Sequence, residues 1–297
     1  MRVYLNGRIV PASEATVPLT ERGLLFGDGI YEVTRAAGGE FIELSRHVTR
    51  LMRNLRELQI RVPEERITEL VDASRTLIQE NAPEGDALVY WQVTRGAAPR
   101  VHHFPPPQTL PTIFANVTSV ALPHAMRTRG AVAITVPDIR WARCDIKTVN
   151  LLPNVLAKQR AVEAGADEAI FVRDGAVIEG ASSNIFAAID GELRTHPASP
   201  YMLGGITRDV VLELAHEARL TVREVPILLD ELYRAREAFF TSTFNDVMPI
   251  VRIDGRAIGD GQPGPTTRQL YAAFAEHIGA VPAARAAGAA RPELARK

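Results

Sequence analysis

The first residues of the chain alternate between apolar and polar. Tyr4-Leu5 and Arg8-Ile9-Val10 flank Asn6-Gly7, a pair suited to the positive backbone dihedrals of a type I′ turn, so the chain is expected to open with a β-hairpin. Residues 30–35 read as a strand, and a helix capped by Ser45 should run to about residue 58. Along 64–80 the positions Ile67, Leu70, Val71, Ser74 and Ile78 recur at the helical period. Residues 87–94 and 112–120 are β-branched and apolar and read as strands, which makes the first part of the chain α+β.

The polar, proline-containing passage 122–129 reads as a linker. Beyond it the pattern predicts strands at 131–136, 168–172, 184–188, 192–195, 221–225 and 238–241, and helices at 151–163, 206–217 and 266–277. Two domains are expected, residues 1–122 and the larger 123–280, because 297 residues exceed the usual size of a single core. After Gly279 the sequence is alanine-rich and poor in large apolar residues, so 281–297 are expected to be disordered.

Composition narrows the function. Thirty-four Lys and Arg against 35 Asp and Glu give a formal net charge of -1 with no long basic run, which argues against nucleic-acid and membrane partners. The start has no signal-like apolar core and no stretch is apolar enough to span a bilayer, so a cytoplasmic location is expected. Cys144 stands alone, which excludes an internal disulfide framework and a cysteine-based zinc cluster. Small-molecule chemistry is the expectation that remains.

One lysine stands out by its company. Lys147 lies where RWARCDIKTVNLLPNVLAKQ (140–159) passes from strand to helix. Thirty-two residues later, VIEGASSNIF (177–186) supplies Glu179 followed by Ser182, Ser183 and Asn184. LGGITRDVV (203–211) then sets two glycines ahead of Ile206 and Thr207 at a helix start, where free amides and the helix dipole favour an anion. Singly, these read as a surface lysine, a turn acid, a loop and a helix entry. In this order they suit pyridoxal phosphate, which needs a Schiff-base amine, a partner for a protonated ring nitrogen and a phosphate cup.

Four blocks, RGLLFGDGIYEV (22–33), CDIKTVNLLPNVLAKQ (144–159), EGASSNIF (179–186) and LGGITRDVV (203–211), resemble in sequence and in order the signature of the class IV, or fold-type IV, pyridoxal-phosphate aminotransferases. The resemblance implies a smaller N-terminal α+β domain, a larger C-terminal mixed, barrel-like domain with helices, the cofactor between them, and a homodimer. It implies that Lys147 forms the Schiff base and shuttles the proton, and that Glu179 pairs with the pyridine nitrogen. Arg50, Ile206 and Thr207 are implied as phosphate contacts, Ser182, Ser183 and Asn184 as the cofactor loop, Ser242 and Thr243 as cofactor-lining residues, and Leu203 as packing on the ring.

YWQVTRGAAPRVHHFP (90–105) resembles the branch of the family that acts on D-amino acids. There an R-x-H element and a tyrosine of the early strand hold the substrate carboxylate, and the matching positions are Arg100, His102 and Tyr31. The loop that carries the element can reach the neighbouring subunit's active site. In an extended segment residues two apart project to one side, so Arg100 and His102 can converge while Val101 turns away. Arginine offers a planar fork for a carboxylate, and Pro99 with Pro105 to Pro107 stiffens the loop. His102 and His103 diverge and have no third ligand at a recognisable spacing, so no metal is expected. The implied reaction is D-alanine plus 2-oxoglutarate giving pyruvate plus D-glutamate. The rivals are a branched-chain L-amino-acid transaminase, expected to lack the R-x-H element, an aminodeoxychorismate lyase, which needs no acceptor, and a protein that only sequesters the cofactor. Gly27-Asp28-Gly29 alone is poor support for a nucleotide site. Three departures from the family pattern bear on the pocket: Arg35 is expected to alter it, Trp91 to add bulk near the trap strand, and Ala181 to remove a phosphate-side hydroxyl.

Overall fold

Asn6 and Gly7 take positive φ values of 49° and 96° and turn strand β1 (Arg2–Leu5) into β2 (Arg8–Pro11). The computed structural model describes residues 1–82 and 84–279, and the tail 281–297 expected to be disordered lies outside the described residues. Helix α1 (Arg22–Phe26) is capped by Glu21, whose carboxylate accepts the Leu24 N–H at 3.1 Å. Then come β3 (Gly29–Ala37), β4 (Glu40–Phe41), α2 (Leu44–Glu57), α3 (Glu64–Asn81), β5 (Asp86–Thr94) and β6 (Thr112–Val120). The strands form one antiparallel sheet in the order β2-β1-β6-β5-β3-β4. Helix α3 buries Ile67, Leu70, Val71, Ser74, Leu77 and Ile78, the face its period predicts.

The second half contains α4 (His124–Arg129), β7 (Ala131–Pro137), α5 (Leu152–Glu163), β8 (Glu168–Arg173), β9 (Ala176–Gly180), β10 (Asn184–Ile189) and β11 (Glu192–Thr195). It continues with α6 (Ile206–Glu217), β12 (Val222–Glu224), β13 (Ile227–Leu228), α7 (Leu229–Tyr233), β14 (Glu237–Ser242), β15 (Asp246–Ile253), β16 (Arg256–Ala257) and α8 (Pro265–His277). Its strands make a second, mixed sheet ordered β12-β11-β10-β14-β15-β7-β8-β9-β13, with β16 on β15. Phe186 and Phe239 stack at its centre, 4.8 Å between centroids. Among the described residues no helix is long and apolar enough to cross a membrane.

The structure differs from the sequence pattern in several places. Residues 124–129, read as an irregular passage, form helix α4, in which Arg127 reaches the Asn245 carbonyl at 2.9 Å and lies over the Tyr271 ring. Ser45 sits inside the first turn of α2, whose cap position is Glu43 at φ 53°. Strand β15 escaped prediction because Pro249 interrupts its ladder potential and a register shift follows at Ile250/Arg252. Trp91 faces away from any pocket, buried in the first core with its Nε1 donating to Ser74 Oγ at 2.8 Å.

Arg35 likewise leaves the pocket alone. It is buried and grips Asp246 of β15 with two bonds, Nη2–Oδ1 at 3.0 Å and Nη1–Oδ2 at 3.2 Å, so it ties the first sheet to the second. Without Arg35, Asp246 keeps only the longer contact of Arg127 at 3.4 Å, so a buried charge is left largely uncompensated. Arg35→Met should therefore lower stability by about 3–5 kcal/mol, read as a drop in the denaturation midpoint, and an unchanged midpoint would show that the pair does not tie the sheets.

Candidate active site

The site begins as a strand pairing. The Tyr31 N–H donates to the Lys147 carbonyl at 2.9 Å, the Val149 N–H to the Gly29 carbonyl at 3.1 Å, and Ile30 bridges Thr148 antiparallel. The approach requires glycine at position 27, which has φ 65° and where a Cβ would stand 2.2 Å from Asn150 Oδ1. This pairing sets the Lys147 amine 3.3 Å from the Tyr31 hydroxyl and 4.3 Å from its ring centroid. Tyr31 in turn stacks on Tyr90, whose hydroxyl is pushed up to about 12 by burial and then by Tyr31.

Lys147 opens on a cavity of about 350 Å³. Glu179, at the end of β9, lines it and is buried. Its carboxylate accepts from Arg140 Nη1, from the Leu203 N–H at 3.1 Å and from Asn184 Nδ2 at 3.2 Å. Burial pushes the Glu179 carboxyl up to about 7, against the pull of Arg140 and the Leu203 amide. Arg140 is itself fixed by Asp138, at 2.9 and 3.0 Å, and lies over the Phe171 ring. Sequence reading passed over Arg140, since a lone arginine beside a tryptophan carries no signal of a partner 39 residues away.

A second arginine faces the same cavity. Arg50 of α2 is held by Glu32 through two bonds, at 2.9 and 2.6 Å, and gives Nη1 to the Gly204 carbonyl at 2.7 Å. A guanidinium carries five N–H groups, so two remain for an anion. Glu32 is fully buried and also meets His47 Nδ1 at 3.1 Å. Burial works against its charge, but Arg50 and His47 hold the carboxyl far below the ordinary range. Burial also keeps His47 below its ordinary value. Neither Glu32 nor His47 was singled out in the sequence. Beside Arg50, Ile206 and Thr207 begin α6, and the amides of a first helical turn lack intrahelical acceptors.

The remaining expected residues are placed less uniformly. Leu203, Ser242 and Thr243 line the cavity, and Ser182 stands exposed at its edge. Ser183 lines it but gives its hydroxyl to the buried Glu168 at 2.9 Å, and Asn184 holds the Leu203 carbonyl at 2.9 Å. These two build the loop from within. Ala181 also borders the cavity. Thr241, which was not foreseen, contributes a buried Oγ1 that has no partner among the described residues. Arg100 and His102 are not brought to this cavity: both are exposed and gather on Phe26, 5.3 and 5.6 Å from its ring centroid. Among the described residues no cluster of metal-ligating side chains occurs.

Comparison with known proteins agrees with this geometry. The family profile described as Amino-transferase class IV matches residues 29–253. The chain is 42% identical over 277 residues to the D-alanine aminotransferase of Staphylococcus haemolyticus, covering 93% of this chain and 98% of that protein. Among solved structures, the branched-chain amino acid aminotransferase of Escherichia coli aligns with a TM-score of 0.85 at 25% identity, covering 96% of this chain and 97% of that one. The branched-chain aminotransferase of the thermophilic archaeon Thermoproteus uzoniensis, solved with norvaline, aligns at 0.82 and 28% identity, covering 94% of this chain and 95% of that one. With the profile running through both sheets and its sequence blocks meeting around one cavity, the chain belongs to the class IV aminotransferase family and has its fold-type IV architecture.

Proposed function

We propose that this protein is a pyridoxal-phosphate-dependent transaminase of D-amino acids, taking D-alanine and 2-oxoglutarate to pyruvate and D-glutamate. The observation that carries the reaction class is the meeting, in one cavity, of the Lys147 amine, the buried Glu179 and the cup of Arg50 with the α6 amides. The D-side of the reading follows the D-alanine aminotransferases, to which the chain is 42% identical.

The residues fit the cofactor. Arg50 keeps two N–H groups free beside a helix N-terminus, which suits a phosphate. Glu179 lacks full charge compensation in its buried setting, which suits a protonated ring nitrogen. The orphan Thr241 hydroxyl marks a polar wall awaiting a partner. When bound, pyridoxal phosphate supplies a carbonyl carbon for amine attachment and a ring that accepts electron density. Lys147 would then take the proton from substrate Cα and return it on the other side of the transfer, steadied by the Tyr31 hydroxyl. Glu179, braced by Arg140, would keep the ring nitrogen protonated, Leu203 would pack on the ring, and Ser182, Ser183, Asn184, Ser242 and Thr243 would frame it. Glu32 and His47 hold Arg50 at its post.

In this reading the working unit is a cytoplasmic homodimer, each subunit divided into domains of residues 1–122 and 123–280. Support for the dimer comes from α5, which exposes Leu152, Val155, Leu156 and Val162 together. Arg100 and His102 would bind the substrate carboxylate after the loop of the partner subunit brings them over the cavity, with Tyr31 completing the trap.

Two results are expected. The visible band of the cofactor-loaded protein should bleach with D-alanine and persist with L-alanine or L-leucine, and Lys147→Ala should lose the response; bleaching by L-leucine alone would overturn the stereochemical reading. Glu32→Gln should weaken pyridoxal phosphate binding by about tenfold, measured by titrating the apoprotein. Ionised Glu32 stabilises the fold above its ordinary value of about 4.3 and loses this as pH falls, so the same variant should flatten the acid limb of the stability profile. An unaltered acid limb would remove Glu32 from that role.

A further inference from the structure

We infer that Phe26 is the positioning residue that aims Arg100 and His102, which rests on the reading of those two residues as the carboxylate trap. Phe26 ends α1 and is half-exposed. Around its ring stand the Arg22 guanidinium at 4.7 Å, the Arg100 guanidinium at 5.3 Å and the His102 ring at 5.6 Å, tilted by 49°.

The rest of the loop is fastened so that these contacts follow. Its root pairs with the start of α1 and its cap residue: the Arg22 N–H donates to the Gly96 carbonyl at 2.9 Å, and Glu21 bridges Ala97. Arg22 Nη1 then holds the Val101 carbonyl at 2.8 Å, gripping the residue between Arg100 and His102. Further on, Arg95 lies over the Phe104 ring at 3.7 Å. Asp28 Oδ2 accepts from Arg22 Nε and from Arg95 Nε, each at 2.8 Å, so one carboxylate sets both arginines that hold the loop.

The chemistry of the platform is as informative as its place. Among the described residues neither Arg100 nor His102 forms an ion pair. An aromatic face attracts a cation through its quadrupole without neutralising it, whereas a carboxylate in the same place would compete with the substrate. A phenyl ring is therefore suited to orient a pair of donors that must keep their capacity for an incoming carboxylate. Val101, between the two donors, supplies its carbonyl to the latch.

Steady-state kinetics of the full-length holoenzyme test this. Phe26→Leu keeps an apolar side chain and removes the ring; it should raise KM for D-alanine about 5–20-fold while kcat stays within about twofold and the cofactor band is unchanged. Phe26→Tyr should restore KM. Arg100→Met should raise KM further, and Phe26→Leu added to it should change nothing more, since a residue acting through Arg100 has no effect once Arg100 is gone. An unchanged KM in Phe26→Leu, multiplicative effects in the double variant, or a fall in kcat together with loss of the cofactor band would overturn the inference. If Arg100→Met itself leaves KM unchanged, the carboxylate-trap reading falls and the inference with it, a result distinct from Phe26→Leu failing while Arg100→Met succeeds.

Discussion

The antiparallel pairing of β3 with residues 147–149 is the constraint on which the site depends. Strand β3 uses its edge near Gly29 to Tyr31 for this contact and, farther along, presents Glu32 to Arg50 and Arg35 to Asp246. One strand thus fixes the amine, the arginine that lines the cavity and the union of the two sheets. Because side chains alternate along a strand, Tyr31 and Glu32 serve opposite faces, one toward Lys147 and the other toward α2. A slip of one residue would exchange these faces, so the register of β3 against β5 and the bridge at Ile30 must be set together.

The buried charges follow one rule. Glu32, Glu179 and Asp246 are all shielded from water, and each meets an arginine. Burial alone would keep such acids neutral. For Glu32 the bidentate arginine and His47 outweigh burial, and the carboxyl stays ionised as a strut for Arg50. For Glu179 burial wins, and a carboxyl near 7 is left facing the cavity with capacity for one more cation. The same kind of pair is a structural brace in one place and a poised group in the other, and the difference lies in the partners: Glu32 takes two bonds from Arg50 and one contact with His47, Glu179 a single bond from an arginine and the rest from neutral amides.

Local patterns were legible in the sequence. The Asn6-Gly7 hairpin, the apolar face of α3 and the glycine-led start of α6 are each set by neighbours along the chain, and each is where the pattern put it. The order of Lys147, Glu179 and the Gly204-Gly205 helix entry was readable for the same reason. What escaped is long-range or irregular: Arg140 finds Glu179, Arg35 finds Asp246 across 211 residues, and Pro249 disguises β15. No periodicity encodes which buried arginine meets which acid, since that follows from sheet order. Arg100 and His102 both stand around Phe26, a neighbour 74 and 76 residues away that no local pattern announces.

That placement has a physical logic. Most groups around the cavity are buried, and buried polar groups left without partners are costly, so apart from the Thr241 hydroxyl and two N–H groups of Arg50 they come already paired. Donors on an exposed loop carry no such cost, since water can satisfy them. Arg100 and His102 stand exposed on such a loop, while the proline run and the Arg22–Asp28–Arg95 latch limit its conformations. The cavity groups are thus held by one another, and the arginine and histidine of the surface loop are held through its backbone and one aromatic ring.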